Sequence, residues 1–375
     1  MSAPAIAAED IQALTDSLKR LLAEQGPEAE VRRVMETPEG YDPTLWAQLA
    51  EMGVVGLIVD EAYGGVGAGP VEHERVTEET GAALLCAPLI SSGVLAAGLL
   101  HALDDEPAKA RRLPGIAAGT TIATAALTGC KGLWTEAAVE ARASQGPDGG
   151  WRLEGAAAFV TDAAIADVIL VAAHAPDAIG IFELAAGPRS EGLQIRPQRT
   201  FDRTLRLADV VLTSAPALRL QSAGPVWEAV EAALDLARVA LAGEQAGGAR
   251  RSLEMTVDYA KLRVQFGRPI GSFQAIKHMA ADLKLEMESA VSAARHAAES
   301  LARGAPDARA AVDLAAFACA DAFSAVTAAS VQMHGGIAFT WTHPAHLYLR
   351  RARADAQLFG APAAYRERYL TAMGG

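Results

Sequence analysis

From Trp227 to about Leu262 apolar residues recur three and four apart, so this stretch reads as one helix of roughly 50 Å at 1.5 Å per residue. A second long helix is expected from about Ser272 to Ala302. A third is expected from about Ala305 to Met333, stopping at the glycine pair Gly335-Gly336. Gly243, Gly247 and Gly248 fall inside the first, where glycine costs stability unless it permits close helix contact. A final helix is expected after Pro362. Helices this long bury their apolar faces as a bundle. Aromatic residues make up only 5% of the chain, and alanine and leucine dominate, which agrees with helix packing.

The front of the chain, to about residue 124, also reads as helical. Asp42-Pro43 opens a helix that Gly53 closes. The run Val54–Gly69 ends in glycines, but Pro70 occupies the third position of a dinucleotide fingerprint, so a loop is expected there. From 125 to 216 the texture changes to short segments such as Val139–Ala143, Trp151–Glu154, Val168–Ala173 and Val210–Leu212. Gln145–Gly150 and Ala175-Pro-Asp177 supply turns between them, which predicts a compact β-domain. The fold class is therefore α+β, mostly α. It comprises an N-terminal helical domain (1–124), a β-barrel-like middle domain (125–216) and a C-terminal four-helix bundle (217–375).

Hydrophobic residues make up 51% and charged residues 21%, as in a globular protein. The net charge of −12 argues against nucleic acid as a partner. Cys86, Cys130 and Cys319 are odd in number and far apart, so they read as buried free thiols in a reducing cytoplasm. The first ten residues carry no signal-peptide pattern. Gly81–Leu100 has no charged residue, but Pro88, Ser91, Ser92 and Gly93 interrupt it, so two buried helices split by a turn are expected rather than a membrane span. His343 and His346 lack a third ligand nearby and do not read as a metal site.

Two C-terminal stretches carry a resemblance: Arg263-Val-Gln-Phe-Gly-Arg-Pro-Ile-Gly-Ser-Phe-Gln-Ala-Ile-Lys-His278 and Gln332-Met-His-Gly-Gly-Ile-Ala-Phe339. With Glu61-Ala-Tyr-Gly-Gly65, Phe159-Val-Thr161 and Asp202-Arg-Thr204, in that order, they resemble the acyl-CoA dehydrogenase family over nearly the whole chain. The resemblance implies FAD, an acyl-CoA substrate, a homo- or hetero-tetramer, and electron-transferring flavoprotein as electron acceptor. It implies that Arg263, Gln265 and Phe266 contact the pyrophosphate and adenosine of a flavin. Gln332, Gly335 and Gly336 would approach a flavin of the neighbouring subunit. Arginine suits phosphate oxygens, and a glycine pair lets backbone N–H groups approach an anion.

Three departures from the family pattern bear on chemistry. The loop that holds the flavin ring reads Leu127–Thr135 here and leaves only Thr128, with Thr135, as a hydroxyl donor beside Thr161 of the middle domain. Phe359 replaces the usual glutamate base, leaving only its backbone N–H to polarise a thioester oxygen. The alternative base position on the first bundle helix is Ala237. Glu244, two turns further along that helix, is the candidate substitute base, set against a plain solvated charge, and Arg238 is a candidate for shaping the acyl pocket. Three readings stay open: a dehydrogenase with a relocated base, a subunit of the heteromeric bacterial steroid-CoA type that lends adenosine contacts to a partner, and a redox-inactive acyl-CoA binder.

Overall fold

A computed structural model describes residues 8–187 and 190–374. Residues 1–7, on which the signal-peptide expectation falls, lie outside the described set. The N-terminal part holds α1 (Ala8–Gln25), α2 (Glu28–Val34), α3 (Pro43–Glu51), α4 (Pro70–Ala82), α5 (Ala97–Ala102) and α6 (Glu106–Ala117). The Asp42 carboxylate caps α3 by accepting from the Thr44 and Leu45 N–H groups, and Pro43 sits at the first helical position. Val54–Gly69 is a loop containing one short 3-10 turn at Glu61–Tyr63. The uncharged stretch Gly81–Leu100 splits at a turn, then continues as a buried π-helical segment, Leu89–Ala96, into α5.

The middle part is one seven-stranded sheet of β1 (Ala123–Ala126), β2 (Arg142–Gln145), β3 (Trp151–Thr161), β4 (Val168–His174), β5 (Ile179–Ala185), β6 (Leu193–Pro197) and β7 (Leu207–Arg219). The order β4-β2-β3-β7-β5 closes on itself because β5 pairs with both β7 and β4. That closure makes a barrel, filled by Leu153, Ile169, Val171, Phe182 and Val210. The expected segment Val139–Ala143 is shifted: Val139 ends a 3-10 turn, and the strand starts at Arg142. β3 and β7 extend well past the expected Trp151–Glu154 and Val210–Leu212.

The C-terminal part packs α7 (Val226–Leu262), α8 (Gln274–Ala302), α9 (Ala308–His334), α10 (Ala345–Asp355) and α11 (Pro362–Ala372). α9 is long and apolar enough to span a bilayer, yet over half of that apolar window is buried among its neighbours. The internal glycines of α7 have a packing cause. A Cβ on Gly247 would sit 1.7 Å from the Glu78 carbonyl oxygen of α4, and one on Gly81 would sit 2.0 Å from the Glu244 carbonyl oxygen. α4 and α7 therefore cross at backbone contact, which fixes Glu244 at the junction of all three parts. Cys86 and Cys319 are buried, but Cys130 is exposed, because the Leu127–Thr135 loop lies on the surface at that point.

Candidate functional site

The crossing of α4 and α7 places Glu244 beside the end of the barrel and the C-terminal turn of α10. Between them lies a cavity of about 40 Å³, lined by Thr161, Asp162, Glu244, Arg351, Asp355 and Leu358 among others. This is room for about three waters. Arg351 is the hub. Its Nη1 donates to Glu244 Oε1 at 2.5 Å and its Nε to Asp202 Oδ2 at 2.9 Å, while Nη2 donates to the Thr204 carbonyl at 2.9 Å. Asp202 in turn accepts from the Thr204 N–H and hydroxyl. Burial alone would lower the Arg351 pKa, but Glu244, Asp202 and Asp355 together hold it well above its ordinary value.

Two more carboxyls close the cavity. Burial pushes the Asp355 pKa well up, the Glu244 charge adds to it, and neither Asp355 oxygen has a hydrogen-bond partner among the described residues. Asp162 is raised to about 6 by burial, opposed by the Ser91 hydroxyl that donates to it at 2.6 Å. The cluster therefore holds one guanidinium against several carboxyls.

Phe359 is wholly buried, its ring edge-on to Trp134 with centroids 5.2 Å apart. Its backbone is left-handed (φ 60°), and its carbonyl accepts from the Tyr365 hydroxyl at 2.6 Å. Arg238 lies 5.5 Å over the Tyr365 ring and donates to Glu231 and Asp235 on its own helix, so its cation is already engaged. Thr128 is also engaged: its hydroxyl donates to the Leu133 carbonyl at 2.8 Å within its own loop. Thr161 lies on the cavity wall, and its carbonyl accepts from the Thr124 hydroxyl. Ala237 is fully buried in the core.

The remaining candidates sit at the far end of the bundle. Antiparallel packing of α7, α8 and α9 brings the end of α7, the start of α8 and the end of α9 together. Tyr259, one turn before Arg263, lies with its ring 4.5 Å from that of His334, the residue before Gly335. Between α7 and α8 the chain forms a two-stranded hairpin of β8 (Val264–Gln265) and β9 (Arg268–Pro269). Its turn residues Phe266 and Gly267 both have positive φ, at 52° and 76°, which suits the right-handed strand twist but is costly for phenylalanine. Phe266 is 93% exposed all the same.

Arg263, Gln265, Gln332, Gly335 and Gly336 are exposed too, and Arg263 forms no salt bridge among the described residues. A Cβ on Gly335 or Gly336 would meet nothing within 4 Å. The Gln265 amide donates to the Val264 carbonyl at 2.8 Å and the Phe266 ring meets that of Phe273 edge-on; with the exposed Arg263 and Gln332 beside an open glycine pair, these groups fit a flavin's pyrophosphate and adenosine. The inner cavity does not fit its tricyclic ring. Among the described residues there is no group of three or more metal-binding side chains.

Sequence reasoning missed Arg351, Asp355 and Asp162, and took Asp202 only as part of the family-like stretch Asp202-Arg-Thr204. The signal for Arg351 was three arginines crowded into Leu349-Arg350-Arg351-Ala352-Arg353, more than a helix turn needs for a solvated face.

The profile of the acyl-CoA dehydrogenase N-terminal domain matches residues 8–120, and that of the C-terminal domain matches 227–372. The chain is 33% identical to acyl-CoA dehydrogenase IpdE2 of Mycolicibacterium smegmatis, over 94% of its own length and 96% of that protein. The solved Tcur3481–Tcur3483 steroid acyl-CoA dehydrogenase (a G363A variant) superposes with a TM-score of 0.87 at 30% identity, over 98% of each chain. The ChsE4–ChsE5 complex of Mycobacterium tuberculosis gives 0.88 at 26% identity, again over 98% of each.

Proposed function

The chain belongs to the acyl-CoA dehydrogenase family, and on that basis we propose that it works as one subunit of a heteromeric, cytoplasmic acyl-CoA dehydrogenase acting on bulky, steroid-derived CoA thioesters. The two solved relatives are, by name, a steroid enzyme and a two-protein complex, which supports this reading. FAD is the family's cofactor and, when bound, accepts the hydride from the β-carbon. On this reading Arg263, Gln265 and Phe266, with Gln332, Gly335 and Gly336, grip the pyrophosphate and adenosine of a flavin whose ring lies in the partner subunit. The partner supplies the base for the α-proton, and electron-transferring flavoprotein drains the electrons.

One observation carries the assignment of roles: the cavity's one guanidinium, Arg351, is bonded to Glu244, Asp202 and Thr204. Phe359 fills the usual base position with a buried ring, and Ala237 leaves the alternative position without a proton acceptor. Glu244 is in reach of the cavity, but its carboxylate is already taken by the Arg351 guanidinium.

The test is co-purification with the partner. Arg263→Met and Gln332→Ala are expected to lower the flavin content of the complex at least tenfold while leaving the assembly intact. A second reading, in which Glu244 is a relocated base, has one observation in its favour: the carboxylate is buried beside the cavity. It requires Glu244→Gln to abolish turnover with flavin content unchanged.

A further inference from the structure

The turn Ala82–Leu85 walls two cavities. Leu85 faces the small charged one, whereas Ala82, Ala83 and Leu84 face a second cavity of about 340 Å³. That volume lies in the range of small-molecule sites. Its walls are apolar and come from four elements: Leu22 of α1, Val31 of α2, Met255 of α7 and Leu347 of α10, with Leu84 and the Tyr348 ring. The Tyr348 hydroxyl donates to the Ala82 carbonyl at 2.7 Å, so the phenol braces the turn rather than offering a free polar group.

Four charged side chains stand at the rim: Lys19, Glu28, Glu79 and Arg251. The two acids are already paired. Glu28 takes Arg32 at 2.7 Å, and Glu79 takes Arg250 at 3.0 Å as well as Lys19 at 3.1 Å. Arg251 reaches the Tyr348 phenol and has a 3.7 Å approach to Glu254, both charged side chains being half exposed. An apolar chamber whose mouth carries Arg251, a cation with no carboxylate closer than 3.7 Å among the described residues, is complementary to an amphiphilic anion.

We propose that this cavity is a second ligand site, for a hydrophobic carboxylate whose apolar body lies among Leu22, Leu84, Met255 and Leu347 and whose carboxylate faces Arg251. The site includes none of the residues placed around the flavin, so it stands or falls apart from the proposed function.

Calorimetric titration of the full chain with octanoate, 1-octanol and octylammonium tests it. The expected result is one octanoate per chain, with octanol and octylammonium at least tenfold weaker. Arg251→Met removes the charge while keeping an apolar stem, and Ala23→Trp fills the chamber from an exposed helix position. Each is expected to weaken octanoate at least tenfold with the thermal midpoint unchanged. No binding to the wild type, equal binding of octanoate and octanol, or wild-type affinity in Ala23→Trp would each overturn the assignment.

Discussion

The inner cavity and the outer end of the bundle hold opposite arrangements of the same chemical groups. In the cavity an arginine is buried and bonded to Glu244, Asp202 and Thr204, and in the core beside it the Phe359 ring is packed away against Trp134. At the outer end an arginine and an aromatic ring are exposed, and Phe266 is held in a conformation that costs energy without burying anything. Buried groups that satisfy one another serve stability. Exposed groups held under strain serve a ligand or a partner. On the proposed function, the contrast separates the half of the family's site that this chain would keep open from the half it would have closed.

The largest effects are expected in the cavity and the core beside it. Phe359→Ala is expected to cost about 3–5 kcal/mol in chemical denaturation, and Arg351→Met a similar amount, because it leaves buried carboxylates without their cation. A cost below ~1 kcal/mol for both would mean that the cavity is open and adaptable, and the contrast would fail.

The next effect isolates one carboxyl of the cluster. Asp162 has a folded-state pKa of about 6, above its unfolded value near 3.9. The folded chain therefore keeps that proton longer, so this group's contribution to stability falls as pH rises from about 4 through 6. Asp162→Asn is expected to stabilise the chain by on the order of 2 kcal/mol at pH 8 and hardly at all at pH 4. A difference independent of pH would show that Asp162 ionises normally.

The smallest expected stability effect lies at the outer end. Phe266→Asn suits the left-handed turn and should raise the stability of the lone chain by up to ~1 kcal/mol while lowering flavin retention in the complex. Loss of stability instead would make Phe266 a structural residue.

The long helices were legible because apolar periodicity over several turns is hard to mistake, and the stops at Gly53 and Gly335 marked their ends. The middle of β3 was not legible: Gly155-Ala-Ala-Ala158 has little strand preference, and only pairing with β7 makes it a strand. The outer residues proposed as flavin contacts were named from a motif, and the hairpin that carries Gln265 and Phe266 was not legible. The buried cluster was hidden for a plain reason. Arg350, Arg351 and Arg353 look alike in sequence, yet Arg351 is buried, Arg350 half-buried and Arg353 exposed, and only the crossing of α7 with α10 separates them.

A chain that lends the outer half of a flavin site while its own inner half stays closed should hold little flavin by itself. Flavin per protomer, read from the visible spectrum of the purified chain alone and then co-expressed with its partner, decides the matter. The expected result is a colourless lone chain and about one FAD per pair in the complex. Stoichiometric FAD on the lone chain would contradict it.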